Sequence, residues 1–567
     1  MLLRRLWTAP YRLPLMTLVI GLVAPLCVEL FLWLLDLGQR GLLAGMAGYQ
    51  SPSVDSVVAG AYWPEGGRVW AIPLATGLGG LLSGILIYRF APEAEGHGTD
   101  AMIRAYHDQG GAMRARVPLV KAVASALTIG SGGAAGREGP VVQIMAGIGS
   151  VLAQRLGLSA EERRQLMLIA TAAGLSAVFR SPLGSALFAV TVLYSGLTLE
   201  SAVIGHAILA AATAYAVIGL FEGWAPLFSL PPGLALETPA HLFWFILLGA
   251  LAGLVGALLP SVFYGIRDGF RRLAVPQILK PALGGLALGL LAIPLPQVLG
   301  GGYDWIQFAI DGQLPLTLLI SLVFAKMLAL GLTVGSGGAG GVFAPALYVG
   351  VMLGAAVASC ACPLFSSAPE PAALAVVGMA ALFGSTARVP LAALLMVIEM
   401  TGGYGLVVPA MVAIITGLVL QDQVARRMPY RTLYEAQVPT PADSPVHQHE
   451  YCSSMFRLLR EQQAKLPKEI VVAQETRLLL EGEPLPLPDG EDVLWLAEVG
   501  KDATVEGKTV ASLPADITVL SILRGEHTLF PDPERRLQAA DRLLLTFRKT
   551  FLDQARQLFA AGGRRRT

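Results

Sequence analysis

Two apolar, glycine-rich segments of this chain match each other at a fixed distance along the sequence. The segment Leu127–Pro140 reads LTIGSGGAAGREGP and Leu332–Pro345 reads LTVGSGGAGGVFAP, an offset of 205 residues without a gap. The same offset joins Lys121 to Lys326, one lysine upstream of each segment. Glycine-rich loops can resemble one another through composition alone, but the matching lysines favour an internal repeat.

A second pair of similar segments follows in the same order. RSPLGSAL begins at Arg180 and RVPLAALL begins at Arg388, an offset of 208 residues. We therefore expect two homologous halves, over about residues 13–222 and 240–422. Whether they are parallel or inverted depends on the number of membrane spans in each half, because an odd number inverts the second half.

The composition of both halves places them in a lipid bilayer. Of all residues, 54% are hydrophobic and only 14% are charged, whereas charged residues make up about 25% of ordinary soluble domains. Apolar stretches, several of them long enough to span a bilayer, recur from about residue 13 to residue 421. The formal net charge of +1 argues against nucleic-acid binding as the main activity. We predict an all-α protein that spans the cell membrane several times.

The last 130 residues have a different composition. Between Val438 and Thr567 about 28% of residues are charged, compared with about 10% before them. The sequence therefore predicts a transmembrane domain over residues 1–437 and a small α/β tail over residues 438–567. In the tail we expect a helix at 450–463, strands at 469–472, 492–499, 517–524 and 542–547, and a final helix at 553–560.

Basic residues predict the orientation of the membrane domain, because arginine and lysine concentrate in cytoplasmic loops. Arginines flank the first apolar stretch, at Arg12, and precede the tail, at Arg426. Further arginines lie in the loops near residues 155–164 and 267–272. We expect both the N-terminus and the C-terminal tail in the cytoplasm.

The repeated loops are predicted to begin broken helices whose first backbone N–H groups are free. A helix cannot cross a bilayer intact through the glycines at 130–139, and Pro140 and Pro345 fit the first turn of a new helix. The first-turn N–H groups lack intrahelical partners and carry the positive end of the helix dipole. Two such starts facing each other would hold a small anion by backbone donors, weakly enough for release.

Glu138 stands out because a carboxylate at membrane depth is costly and marks function. It could occupy the place of the anion and leave when protonated or displaced, which would make it a gate and a proton carrier. The alternatives are a helix cap or an ion pair with Arg137. Phe343 has the equivalent position in the second half, and the sequence leaves core packing and a pore constriction equally open for it.

With GREGP at residues 136–140 and GVFAP at 341–345, each after a GSGG loop, the chain resembles the CLC family of chloride channels and proton/chloride antiporters. The resemblance covers most of residues 13–437 and implies an inverted repeat and a homodimer with one pathway per subunit. It implies that Glu138 is the gating glutamate and that Tyr434, after the last span, donates its hydroxyl to chloride. The candidate anion-binding residues are then His97, Gly98, Gly136, Arg137, Gly139, Gly341, Val342, Phe343, Ala344 and Tyr434.

The chain departs from the first motif of that family. Where the family commonly has GSGIP, this chain has GHGTD at residues 96–100, so His97 replaces a serine that donates to chloride. An imidazole N–H can also donate to an anion, and its protonation would add pH dependence. Alternatively, His97 packs while backbone N–H groups hold the ion. Asp100 would disfavour an anion unless its carboxylate points away.

A second departure concerns proton coupling. Antiporters of this family typically carry an inner glutamate, and here Thr191 and Val192, neither of which titrates, occupy the corresponding positions. This favours channel-like or weakly proton-coupled chloride transport, with proton/chloride exchange as the alternative. We expect Lys121 to raise the electrostatic potential along the anion path, although a lysine at this depth could instead cap backbone carbonyls.

The tail carries its own resemblance. Residues 505–560 resemble a TrkA-C domain, which we place at about residues 490–562. Such a domain is expected to stabilise a dimer. A small regulatory ligand stays open, because the tail has no glycine-rich nucleotide motif that would identify one.

Other functions have less support in the sequence. The fluoride branch of the family differs around GREGP, and a cation transporter regulated by the tail would need a carbonyl filter that the sequence lacks. No nucleophile–base pair and no metal-ligand spacing indicates an enzyme, a metal site or a cofactor. The expected partners are chloride, protons and the lipid bilayer.

Overall fold

The computed structural model describes residues 9–50, 68–365, 368–446, 482–486, 492–525, 527–529 and 531–560. The predicted helix at 450–463 and strand at 469–472 lie outside these residues. Two compact units meet in the chain between Thr440 and Pro441. The first contains the internal repeat and the second contains the tail.

The first half of the membrane unit consists of eight helices of at least eight residues among the described positions. The first of them continues into a π-helical turn at Gln39–Ala44. The helices are α1 (Ala9–Gly38), α2 (Ile72–Phe90), α3 (Thr99–Asp108), α4 (Arg116–Gly130), α5 (Glu138–Arg155), α6 (Ala160–Phe179), α7 (Pro182–Thr191) and α8 (Ile204–Glu222).

The second half repeats the same order of helices over its described residues. A π-helical turn at Gly331–Gly335 follows α12. The helices are α9 (His241–Arg272), α10 (Lys280–Ala292), α11 (Tyr303–Ile310), α12 (Leu316–Leu330), α13 (Phe343–Ala361), α14 (Pro371–Thr386), α15 (Pro390–Thr401) and α16 (Val407–Ala425). Neighbours correspond between the halves, since α5 packs on α6 as α13 packs on α14.

Local sequence accounts for where these helices begin and end. The apolar run at 122–156 is broken as predicted, because α4 ends at Gly130 and α5 starts at Glu138 with a proline in its first turn. At the start of α6, the Ser159 hydroxyl accepts from the Glu162 N–H at 3.2 Å. The Glu162 carboxylate in turn accepts from the Ser159 N–H at 3.0 Å, which completes a capping box.

Several helices have the dimensions of membrane spans. Within the described residues, seven helices are long and apolar enough to cross a bilayer, and four more apolar helices have 10 to 17 residues. A mixture of full and short helices is what the interrupted apolar stretches predicted. The prediction of a helical protein with multiple membrane spans is confirmed.

Equivalent residues of the two halves bond to each other at the centre of the unit. The Gly136 N–H donates to the Gly341 carbonyl at 2.8 Å, and the Gly341 N–H donates to the Gly136 carbonyl at 2.7 Å. The two segments run antiparallel at this bridge. Reciprocal bonds between residues 205 positions apart place a pseudo-two-fold axis between them, and the inverted repeat implied by the resemblance is confirmed.

The tail forms a five-stranded antiparallel sheet, whose strands lie side by side in the order Leu485–Pro486, Asp492–Glu498, Arg542–Arg548, Thr518–Arg524 and His527–Leu529. Trp495, Phe547 and Phe559 are buried in its core. The Asp541 carboxylate accepts two hydrogen bonds from the Arg524 guanidinium, each of 2.8 Å. The elements are β1 (Leu485–Pro486), β2 (Asp492–Glu498), β3 (Thr518–Arg524), β4 (His527–Leu529), β5 (Arg542–Arg548) and the helix α17 (Leu552–Phe559).

Candidate functional site

The starts of α5 and α13 lie beside one small cavity, next to the bridge between Gly136 and Gly341. We call it the anion cavity. Both helix starts and the segment after α16 contribute to its wall, so the repeat brings together residues far apart in sequence. Its lining residues are Thr99, Glu138, Gly139, Val142, Leu175, Phe188, Val342, Phe343, Met396 and Tyr434.

Close backbone packing holds the start of α5 in place. A Cβ atom on Gly139 would lie 2.1 Å from the His97 carbonyl oxygen and 2.8 Å from Gly341 Cα. Only glycine allows this approach. Gly98, which precedes α3, adopts a φ of 85° and faces the Gly139 carbonyl. The glycines predicted at the anion path therefore let three segments meet there.

Glu138 is buried, with 1% of its surface exposed. Its Oε1 atom accepts a hydrogen bond from the hydroxyl of Tyr303 on α11. Its Oε2 atom lies against the backbone of Gly136, where a Cβ would be 1.9 Å away. The backbone N–H groups of Glu138 itself and of Ala344 lie close to the carboxylate. The carboxylate thus lies beside N–H groups from both halves of the repeat.

Among the described residues, Arg137 and Glu138 do not form a salt bridge with each other. Its guanidinium stacks on the ring of Tyr303, 4.6 Å from the ring centre. Tyr303 was not predicted from the sequence. It lies outside the repeated glycine loops, and only the approach of α11 to α5 in the fold shows its role.

Phe343 combines the two alternatives that the sequence left open. Its ring packs against Phe179 at 4.6 Å and against Phe383 at 4.2 Å between ring centres. It also lines the anion cavity, next to Val342. Core packing and a place on the pathway wall are therefore compatible for this side chain.

Tyr434 is buried at the wall of the anion cavity. Its segment is fixed because the Leu433 N–H donates to the Thr386 carbonyl at 3.0 Å. The Tyr264 hydroxyl also donates to the Leu433 carbonyl at 2.9 Å. The structure therefore brings Tyr434 to the two helix starts, where a hydroxyl could face an anion.

His97 does not line the anion cavity. It lines a second cavity of about 300 Å³, which we call the vestibule, and Thr99 rather than His97 lines the anion cavity. The Nε2 atom of His97 lies 3.1 Å from the Asp100 carboxylate, which also accepts from the Ala436 N–H at 3.2 Å. Asp100 therefore faces His97 and the Tyr434 segment. Thr99 was missed because the motif comparison pointed to the serine position.

The vestibule has a mixed charged lining with one more basic than acidic side chain. Four arginines and three acidic residues border it together with His97 and Tyr264. Positive potential along such a cleft raises the local concentration of anions. The charged lining residues are Arg104, Arg114, Arg267, Arg271, Glu93, Glu95 and Asp100.

Lys121 is fully buried and caps backbone carbonyls. Its Nζ atom donates to the carbonyls of Ala94 at 2.9 Å and of Gly96 at 2.6 Å. Lys326 makes the equivalent pair of bonds in the second half. Lys121 thus holds the loop that carries His97. Its contribution to the potential on the anion path stays a prediction.

Thr191 and Val192 lie at the end of α7 and provide no titratable group. The Thr191 hydroxyl donates to the Leu187 carbonyl at 2.7 Å, and Val192 is fully buried. Glu399, the intramembrane carboxylate of α15, accepts from the Ser181 hydroxyl at 2.6 Å and from the Gly184 N–H at 2.9 Å. It caps the start of α7.

Comparison with known proteins identifies relatives of both units of the chain. Residues 79–422, more than half of the chain, match the family model of the voltage gated chloride channel. Residues 496–560 match the TrkA-C domain, which confirms the resemblance of the tail.

Relatives over the membrane unit carry chloride-transport names. The H(+)/Cl(-) exchange transporter ClcA of Salmonella paratyphi A is 32% identical over 372 residues, which cover 64% of this chain and 78% of that protein. A relative from Ralstonia nicotianae, named provisionally as a ClcB-like chloride channel protein, is 33% identical over 62% of this chain and 82% of its own.

Solved structures share the fold. The structure of a slow cyanobacterial Cl-/H+ antiporter has 26% sequence identity and a TM-score of 0.64, and it covers 74% of this chain and 96% of its own. A CLC-type fluoride/proton antiporter has 22% identity and a TM-score of 0.63 over 76% of this chain and all of its own, and shows the fold alone. The chain belongs to the voltage gated chloride channel (CLC) family of chloride transport proteins and carries a C-terminal TrkA-C domain.

Proposed function

We propose that this protein exchanges chloride for protons across the cell membrane, with Glu138 as the group that alternates between the anion position and the proton. One observation carries the proposal: the Glu138 carboxylate lies where the starts of α5 and α13 meet. Chloride and a carboxylate compete for the same backbone N–H groups there. Protonation of Glu138 removes its charge and favours chloride in its place.

Exchange has better support than the channel-like conduction that the sequence favoured. That preference depended on the absence of a titratable group at Thr191 and Val192. The names of the Salmonella exchange transporter and of the cyanobacterial antiporter support exchange. The sequence analysis had kept exchange as its alternative, and we adopt it here.

Coupled flux tests the proposal. The full-length protein is reconstituted in liposomes with a chloride gradient, and chloride and proton movements are recorded together. We expect chloride flow to drive protons against their gradient. Chloride flow without any proton movement would show passive conduction and contradict exchange. Replacing chloride by fluoride or gluconate tests the fluoride and cation alternatives in the same vesicles.

The orientation of the protein has support from the arginines at one end of the unit. Arg12 pairs with Glu162 at the start of α6, and the Arg163 guanidinium donates to the Gly110 carbonyl at 2.9 Å, beside the vestibule. Because basic residues favour the cytoplasmic side, we place the vestibule, the N-terminus and the tail there. Protease added outside the vesicles tests this orientation. We expect it to digest the tail in inside-out vesicles and to leave the tail intact in right-side-out vesicles.

The homodimer also belongs to the proposal. It is implied by the family resemblance, and α8 and α16 offer exposed apolar side chains for a subunit interface, among them Leu209 and Ile415. Lipid alone could cover the same side chains. Mass measurement of the protein in nanodiscs is expected to give two copies, and a single copy would exclude the dimer.

A further inference from the structure

A buried histidine–aspartate pair lines the vestibule, next to the Tyr434 ring that lines the anion cavity. His97 is 5% exposed and Asp100 is 7% exposed. The Nε2 atom of His97 lies 3.1 Å from Oδ2 of Asp100. Oδ1 of Asp100 accepts from the Ala436 N–H at 3.2 Å, two residues after Tyr434. The carboxylate is therefore held in position and orients the imidazole ring.

This pairing leaves the second ring nitrogen free to take a proton. When Nε2 carries the hydrogen that it donates to Asp100, Nδ1 of His97 carries a lone pair. Nδ1 is buried and has no hydrogen-bond partner among the described residues. An imidazole held by a carboxylate on one nitrogen, with the other nitrogen open, is arranged as a general base.

The position of the pair fits a proton route. His97 lines the vestibule, and its ring centre lies 5.6 Å from that of Tyr434, which lines the anion cavity. Among the residues that line the anion cavity, only Glu138 and Tyr434 carry a group that can release a proton. Histidine is the side chain that changes charge near neutral pH.

We propose that the His97–Asp100 pair accepts protons from the vestibule and passes them toward Glu138, so that protons and chloride share the inner part of the pathway. The inference rests on the proposed exchange. Nδ1 of His97 takes a proton from a hydronium ion that reaches it through the vestibule, and Asp100 stabilises the imidazolium through Nε2. The same Nδ1 then gives the proton to water that passes it to the Glu138 carboxylate, which leaves the ring neutral again.

The charged groups around His97 have opposite effects on the protonation of its ring. The carboxylates of Asp100, Glu95 and Glu93 favour the imidazolium. The cations that oppose it are Arg104 on α3, Arg114 in the loop after α3, Lys121 on α4, and Arg267 and Arg271 on α9. The hydroxyls of Tyr264 and Tyr434 and the amide of Gln143 are neutral. Asp100 is in direct contact with the ring, so its removal has the largest expected effect.

Paired flux measurements test the proposal in reconstituted full-length protein. The variants are His97→Ser, His97→Asn and Asp100→Asn, and His206→Asn on α8 is the matched control. We expect both His97 variants to keep chloride flux while proton flux falls at least about tenfold, because a positioned base contributes on the order of a hundredfold or more. In Asp100→Asn, the pH at which proton flux is half-maximal should be about one unit lower than in the parent, because the imidazolium loses the carboxylate that stabilises it.

The outcomes separate the two proposals. A parent protein without coupled proton movement would contradict the exchange and this inference with it. Coupled flux in the parent, with an unchanged ratio of protons to chloride in both His97 variants, would overturn the inference alone. If a His97 variant fails to fold, the Asp100→Asn variant tests the inference instead. A pH profile of proton flux identical to that of the parent would show that the His97–Asp100 pair only packs, and would overturn the inference.

Discussion

The hydroxyl of Tyr303 donates a hydrogen bond to the Glu138 carboxylate, and so joins the second half of the repeat to the residue of the first half that we propose as the gate. The same ring carries the stacked guanidinium of Arg137, at 4.6 Å. A carboxylate held in this way must break the bond before chloride can take its place. A hydrogen bond to a charged group contributes about 1.5–3 kcal/mol, enough to shift the gate measurably.

Replacing Tyr303 by phenylalanine should weaken the hold on Glu138. The ring and its stacking on Arg137 stay, but the ionised carboxylate loses a donor and takes up a proton more readily. We expect the pH at which chloride flux is half-maximal to move upward by about one unit. Flux measured in liposomes from pH 4 to pH 9 checks this, and an unmoved profile would show that the bond does not hold the gate.

Replacing Glu138 by alanine should separate the two ions. The side chain that takes up protons is removed, while the backbone N–H groups of α5 and α13 remain. We expect anion flux to persist and to lose its pH dependence, with proton flux falling at least about tenfold. An unchanged pH response would remove Glu138 from the mechanism.

Replacing Gly139 by alanine should distort the helix start. Its Cβ would meet the His97 carbonyl at 2.1 Å, and backbone cannot give way cheaply. We expect a loss of stability of about 2 kcal/mol and a large decrease in chloride flux, measured by thermal melting and by liposome assay. Gly205→Ala on α8, where a Cβ meets nothing within 4 Å, is the control and should behave as the parent.

Replacing Asp541 by asparagine should loosen the tail. The Asp541 carboxylate is buried and accepts from Arg524 and from the Gln538 N–H, and this bond holds the pKa of Arg524 above its ordinary value. We expect a loss of about 2 kcal/mol, seen as faster proteolysis of the tail in the full-length protein. Arg542→Ala, in an exposed pair with Glu498, should change little.

The repeat made the centre of the fold predictable. Matching loops identified Gly136 and Gly341 as equivalent, and the half-helix starts at Glu138 and Phe343 follow from glycines and prolines that act locally. Tyr303 could not be found in this way, because its contact depends on how α11 packs against α5. Thr99, the first residue of α3, lines the anion cavity because of the backbone direction set by the preceding turn, which the motif does not encode.

The central claim is that chloride binds where the starts of α5 and α13 meet, in competition with Glu138. Anomalous diffraction from crystals of Glu138→Gln grown with bromide locates the anion directly. We predict a bromide peak in the anion cavity, beside the backbone of Val342 and Phe343 and the hydroxyl of Tyr434. Crystals with ordered bromide elsewhere on the protein, but none in this cavity, would contradict the account.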